Sequence, residues 1–277
     1  MTWINLGLGG LVGAALAPFQ SLPPIVGLSV VSLVAAIGML LVFRATSNQQ
    51  AIADVKRRIH AGIFEIRLFN DDLRAMFSAQ LDILRHNLTY LRLSLAPMLW
   101  MLVPLVLLIA QLQFYYGYDG FGPGQSAIVK VRLREGAFPS SGPAPAIALE
   151  APSGLRVETP LVWIPSEREA AWRIGMDRPG DYELTVALDG RSVTKQVRVS
   201  NQVGWRTPER LEAGLVNQVL YPAEAPLDAD AAIEAILVAY PEREINLLGY
   251  GTHWMVAFFV LSLVFAFALK SRFGVVI

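Results

Sequence analysis

The chain of 277 residues contains no cysteine. That excludes disulfides, thiolate metal sites and cysteine nucleophiles. Histidine is almost as scarce: His60, His86 and His253 are the three present, and no two form an HExxH-type pattern with a carboxylate. Net charge is zero, which argues against a general nucleic-acid binder. Charge is also missing locally. Residues 1–43 carry no Asp, Glu, Lys, Arg or His, residues 93–118 carry none either, and residues 248–269 carry only His253. Three uncharged blocks of this kind predict an integral membrane protein, since a helix crosses the hydrocarbon core with roughly 20 apolar residues.

The blocks divide the chain. Residues 1–21 are rich in glycine and alanine, too short in their apolar core to span, and suited to an interfacial or re-entrant segment with Trp3 as anchor. They lack the basic start of a signal peptide. Gly7-Leu8-Gly9-Gly10 is no phosphate loop, having neither a strand before it nor a lysine. Pro23-Pro24 suits a helix start, and residues 22–44 form the first predicted span, ending at Arg44. Residues 93–118 form the second, with Pro97 and Pro104 inside it and an aromatic girdle of Phe114, Tyr115, Tyr116 and Tyr118 at its outer end. Residues 248–270 form the third, with Lys270 and Arg272 at its inner end.

Residues 45–92 read as a cytoplasmic helical hairpin. Ile52, Val55, Ile59, Ile63 and Ile66 recur at helical spacing. After Asn70-Asp71-Asp72, the residues Leu73, Phe77, Leu81, Leu84, Leu88 and Leu91 follow steps of four and three, the seam of a paired helix. From Arg44 to Arg92 there are eight Lys and Arg against five acids, which places this side in the cytoplasm and both the N-terminus and the loop 119–247 outside. Within that loop, residues 119–200 predict an immunoglobulin-like β-sandwich. Its strands are Ser126–Leu133, Ala146–Glu150, Leu155–Thr159, Ala170–Gly175, Tyr182–Leu188 and Ser192–Ser200, with a hairpin turn at Asp189-Gly190 and a tyrosine-corner role for Tyr182. Residues 201–247 read as a connector. In it, Thr207-Pro208 starts a short helix through Leu211, Leu215 and Val219, and Ala232–Tyr240 reads as a strand stopped by Pro241, the alternative being a helix capped by Asp228. Residues 271–277 are a cytoplasmic tail. The fold class expected is thus all-α membrane protein with an inserted extracytoplasmic β-sandwich.

Enzyme chemistry has little to stand on here. Asp71-Asp72 is the acidic pair placed as a catalytic candidate, set against a solvated helix junction. Asn87-Leu88-Thr89 matches a glycosylation sequon on the wrong side of the membrane. The spans hold only hydroxyls and amides, among them Ser29, Ser32, Ser94, Gln111, Gln113 and Ser262, so a proton or ion pathway is not expected. No catalytic residue, cofactor or metal is assigned.

The order of parts, and the piece NLTYLRLSLAPMLWMLVP from Asn87 to Pro104, resemble the Oxa/YidC-type membrane-protein insertase superfamily. The likeness is to its minimal three-span branch, the archaeal YidC-like proteins and a subunit of the ER membrane complex. It covers roughly residues 22–113 and 248–277. The chain departs from that branch by the inserted loop 119–247, and by having Arg44 and Arg92 at the cytoplasmic mouth rather than a charge within the bilayer. The resemblance implies an insertase or insertion chaperone; the membrane expected is, separately, a bacterial inner membrane. Ser32, Ser94 and Ser262 would line a lipid-facing groove, with Arg44 and Arg92 at its mouth. Lys56, Arg57 and Arg58 would contact nascent chains or the ribosome. The alternative expectation is a membrane-anchored scaffold or accessory subunit whose outer β domain and hairpin bind partners, that of the β domain being unknown.

Overall fold

The computed structural model describes residues 2–69, 71–136, 145–228 and 232–276, and the side chains of residues 1–6 and 8, Trp3 among them, lie outside the description. So does Asn70. The chain forms two compact units: Met1–Gly27 with Leu107–Ala257, and Leu28–Val106 with Phe258–Ile277.

Among the described residues, six α-helices, a short 3-10 helix (Ala17–Phe19) and eleven strands follow in chain order. Helix α1 is Thr2–Leu16 and α2 is Pro24–Thr46, the proline opening the helix as expected. Helix α3, Gln49–Leu68, is capped by Asn48, whose side-chain oxygen accepts from the Ala51 N–H at 3.0 Å. Helix α4 runs from Leu73 to Tyr116 without a break, past Pro97 and Pro104. At 1.5 Å per residue it is about 66 Å long. The sequence predicts a hairpin helix that runs into a span there, and the structure has one helix through both, with no glycine or loop signal between Arg92 and Leu93. Asp72 caps α4, accepting from the N–H groups of Arg74 at 2.9 Å and Ala75 at 3.2 Å. The acidic pair is thus a helix junction in part, with Asp72 satisfying orphan donors.

Helices α2 and α4 are long and apolar enough to cross a membrane. Helix α6, Trp254–Leu269, has 16 residues, about 24 Å, against a hydrocarbon core of about 30 Å. The predicted third span began at Leu248. Instead, residues 248–253 belong to a β-hairpin, β10 (Glu244–Leu247) and β11 (Tyr250–His253). Leu248 and Gly249 turn it with φ of 55° and 93°, the positive values a two-residue hairpin turn requires. The run Leu247–Tyr250 is uncharged and merges into the apolar block that follows, which hides the turn from a hydropathy reading.

Besides the β10–β11 hairpin, the described residues of the β region hold two antiparallel sheets. One contains β1 (Ser126–Leu133), β3 (Leu155–Val157), β4 (Val162–Ile164), β5 (Glu169–Met176), β8 (Glu209–Leu211) and β9 (Ile233–Val238), in the order β3-β5-β1-β9-β8 with β4 also on β5. The other is β2 (Ile147–Glu150), β6 (Gly180–Leu188) and β7 (Arg191–Val199), in the order β2-β6-β7. Strand β1 is central. Val129, Val131 and Leu133 point into the core while their neighbours face out, as period-two alternation dictates. Leu184, Val186, Val197 and Val199 of the second sheet fill the same core. The β6–β7 turn is Asp189-Gly190, both at positive φ, with Leu188 paired to Arg191.

Two readings of the connector change. The helix predicted from Thr207 is strand β8, and helix α5 covers only Leu215–Leu220. Thr207 does not cap a helix: its hydroxyl donates to the Gln196 carbonyl at 2.9 Å, and the Val238 N–H donates to the Pro208 carbonyl at 2.7 Å. Sheet pairing overrides the helical spacing there. Strand β9, predicted at Ala232–Tyr240, pairs with β1, so residues past 200 complete the sheet. Tyr182 donates its hydroxyl to the Arg178 carbonyl, four residues upstream, at 3.0 Å.

Candidate functional site

In the unit Leu28–Val106 with Phe258–Ile277, α3 and α4 form the hairpin. Gly62 of α3 lies against Ile83 of α4, so close that an added methyl would sit 2.7 Å from Ile83 Cγ1. Lys56 lies 5.4 Å from the centroid of the Tyr90 ring. These two pairs run in opposite senses along the helices, as antiparallel packing requires. Ile52 and Val55 are buried and Ile59 half-buried, so the first periodic set makes the hairpin's inner face as far as Ile59, whereas Ile63 is exposed.

The second periodic set does not. Phe77, Leu81, Leu84, Leu88 and Leu91 are all exposed, Leu88 by 68%. Helix α3 meets α4 on the face of Ala79, Ile83 and Tyr90, roughly a third of a turn away. The tip of the hairpin is apolar as well. Ile63, Phe64, Leu68, Phe69 and Leu73 are exposed within eleven residues, Leu68 by 74%. Phe64, Leu68 and Phe69 were absent from the sequence reading. They fall off the first periodic set at steps of four and one, the signal that a second apolar face opens near the tip.

The other predicted site residues are scattered by burial. Arg44, Arg92, Arg57 and Arg58 are exposed, Lys56 half-buried, and Arg57 is paired with Asp54 one turn earlier. Ser32 is fully buried, its hydroxyl 3.5 Å from the Phe258 carbonyl, which puts α2 against α6. The hydroxyl oxygens of Ser94 and Ser262 are buried without a hydrogen-bond partner. The three serines therefore face helix contacts, while the arginines face out.

The unit Met1–Gly27 with Leu107–Ala257 carries a different set, buried cations that the sequence reading missed. Lys195 sits on β7 at an inward position and has no exposed surface. Its ammonium bonds Glu224 at 2.5 Å and the Thr207 carbonyl at 2.5 Å. Desolvation lowers its pKa to about 8 despite Glu224. Glu224 also accepts from the Gln196 N–H at 3.0 Å, so it ties its loop to β7. Arg206 is buried with its guanidinium on the carbonyls of Ser200, Gln202 and Trp205, and desolvation brings its pKa down to about 10. At the end of α4, the Arg206 N–H donates to the Phe114 carbonyl, while Arg243 reaches the Tyr115 carbonyl at 3.4 Å and Asp119 at 2.6 Å. These bonds satisfy carbonyls that a helix C-terminus leaves open, and cations suit that end of the dipole. Trp254 donates its indole N–H to Gln113 at 2.9 Å. The set fastens loops and helix ends.

His253 accepts from the Met255 N–H at 3.3 Å. Among the described residues no group of three or more His, Asp and Glu is placed to hold a metal ion. No family model matches the sequence, and no curated protein matches it.

Proposed function

We propose that the protein is a membrane-anchored insertion chaperone, holding apolar segments of client membrane proteins at the hairpin tip before they enter the bilayer. One observation carries the reading: five large apolar side chains from Ile63 to Leu73 are exposed within one short stretch at the tip of the helical pair. Exposed apolar surface gathered this way marks a binding site for another apolar surface. Arg67 within the tip and Arg74 just past it would attract acidic flanks of a client. In this reading α2, α4 and α6 anchor the hairpin to a bacterial inner membrane, and the β unit lies outside.

The test uses the cysteine-free chain. A photo-crosslinker at Phe64 or Leu68 should label short membrane-protein nascent chains, and one at Arg58 should not. The triple variant Phe64→Ser/Leu68→Ser/Leu73→Ser should cut labelling and client insertion at least fivefold. Equal labelling from Arg58, or full insertion by the triple variant, sinks the reading.

The scaffold alternative has support of its own. Leu248 is 92% exposed and Tyr250 79% at the tip of the β10–β11 hairpin, and Leu215 and Val216 of α5 are exposed too. Loss of a co-purifying partner on Leu248→Ser/Tyr250→Ser, with client labelling intact, would favour it.

A further inference from the structure

We infer that the exposed row on α4 is a self-association surface, on which a second copy of the chain pairs α4 with α4 in a parallel coiled coil. The row has strict heptad form. Leu81, Leu88, Leu95 and Leu102 recur at every seventh residue. Phe77, Leu84, Leu91 and Met98 stand between them, in the alternating steps of three and four that knobs-into-holes packing uses. All eight are exposed. The inner face of the hairpin is already occupied by α3, so this row needs a partner from outside the hairpin.

The flanking residues identify the partner. On one edge stand Arg85 and Arg92, each following a position of the second set. On the other stand Gln80 and Asn87, each preceding a leucine of the first set. In a parallel pair the two edges face each other, residue i opposite residue i+5 of the other copy. Gln80 then meets Arg85 and Asn87 meets Arg92, an amide oxygen opposite a guanidinium donor in both cases. Asn87 spends its amide nitrogen on the Ile83 carbonyl at 2.9 Å, which keeps its oxygen as the acceptor. In an antiparallel pair, arginine edge would face arginine edge. Two copies inserted the same way in one bilayer also have their α4 helices parallel, so membrane orientation and edge chemistry agree.

The size is adequate. At roughly 60–100 Å² for each exposed side chain, covering the row on two copies removes on the order of 1,200 Å², the lower end of stable interfaces. The drive comes from the half below Arg92, where water is the alternative; lipid is as apolar as leucine above it. The inference does not rest on the client reading, which uses the residues of the tip before Phe77.

The experiment places single cysteines in the full chain, in lipid vesicles at a low protein-to-lipid ratio, with two differently tagged copies. Oxidation should link copies through Leu84→Cys and Leu88→Cys at least fivefold more than through Asp82→Cys and Thr89→Cys, which lie off the row. Gln80→Glu, facing Arg85 of the second copy, should strengthen the dimer several-fold, and Gln80→Arg should weaken it by a similar factor. Gln80 is exposed, so neither change disturbs the fold of one copy. Linking that ignores the row, absence of linking at Leu84 and Leu88, or a stronger dimer with Gln80→Arg would each overturn the inference.

Discussion

Two buried polar groups respond to substitution in opposite ways, because one has a partner and the other has none. Lys195 has its counter-charge in Glu224, itself nearly buried. Burial holds the lysine's folded pKa at about 8 against 10.5. Between those values the unfolded chain keeps a proton that the folded chain has released, so the stability of the β unit rises with pH across that window. Below pH 8 both states are charged and the desolvation cost stands in full. Glu224→Gln should drop the folded pKa further, extend the rising window to lower pH, and destabilise the unit at pH 7 by about 3–5 kcal/mol. Lys195→Met in that background should recover most of the loss, because no uncompensated charge is then buried. Thermal unfolding followed by near-UV circular dichroism from pH 6 to pH 11 measures both effects.

Ser94 has no such partner. A hydroxyl buried without a hydrogen bond costs about 1–3 kcal/mol, so Ser94→Ala should leave stability unchanged or raise it. The same variant separates two roles for the serine. If Ser94 lines a groove that wets a client's polar flank, client insertion falls with Ser94→Ala although the protein becomes no less stable. If insertion is unchanged, the serine is a helix contact and the chemistry belongs to the hairpin tip.

At the scale of elements, legibility followed locality. Strand β1 was readable to the residue because its alternation matches a half-buried strand, and the β6–β7 turn because Asp-Gly is a turn signal in itself. Strand β8 and the β10–β11 hairpin were not readable. β8 exists through its pairing with a distant strand, and Leu248-Gly249 is a turn inside an apolar run. The row on α4 was visible as a period, but its partner was not: spacing tells that a face is apolar and cannot tell whether α3 or another chain covers it. Gly62 supplies the missing link for α3. Gly62→Ala gains about 1 kcal/mol of helix propensity, but its methyl would meet Ile83 Cγ1 at 2.7 Å, on a side chain stiff at χ1, so the contact offsets the gain and the variant should be no more stable than the parent. Gly62→Phe should push α3 away from α4 by overpacking, costing about 1–3 kcal/mol. Protease sensitivity of the α3 segment distinguishes the two, and loss of client labelling with Gly62→Phe would show that the tip works only on a closed hairpin.

For the whole molecule, the deciding quantity is the reach of α6. Its 16 helical residues give about 24 Å, and the chain then turns at Ser271–Gly274 rather than continuing as helix. Crossing a core of about 30 Å requires either local thinning of the bilayer or snorkelling by the flanking Lys270 and Arg272. Ser32 argues for crossing: α2 is long enough to span, and its buried hydroxyl sits 3.5 Å from the Phe258 carbonyl, near the start of α6. Single cysteines at Arg178, Arg58 and Ser271 in the otherwise cysteine-free chain settle the matter with a membrane-impermeant maleimide on intact and opened cells. Arg178→Cys should react on intact cells, while Arg58→Cys and Ser271→Cys should react only after opening. If Ser271→Cys reacts on intact cells as Arg178→Cys does, α6 returns to the outer surface, only α2 and α4 span, and the hairpin lies at the end of a two-helix anchor. If Arg58→Cys reacts from outside, the orientation is inverted, and the hairpin tip faces folded proteins outside rather than nascent ones within.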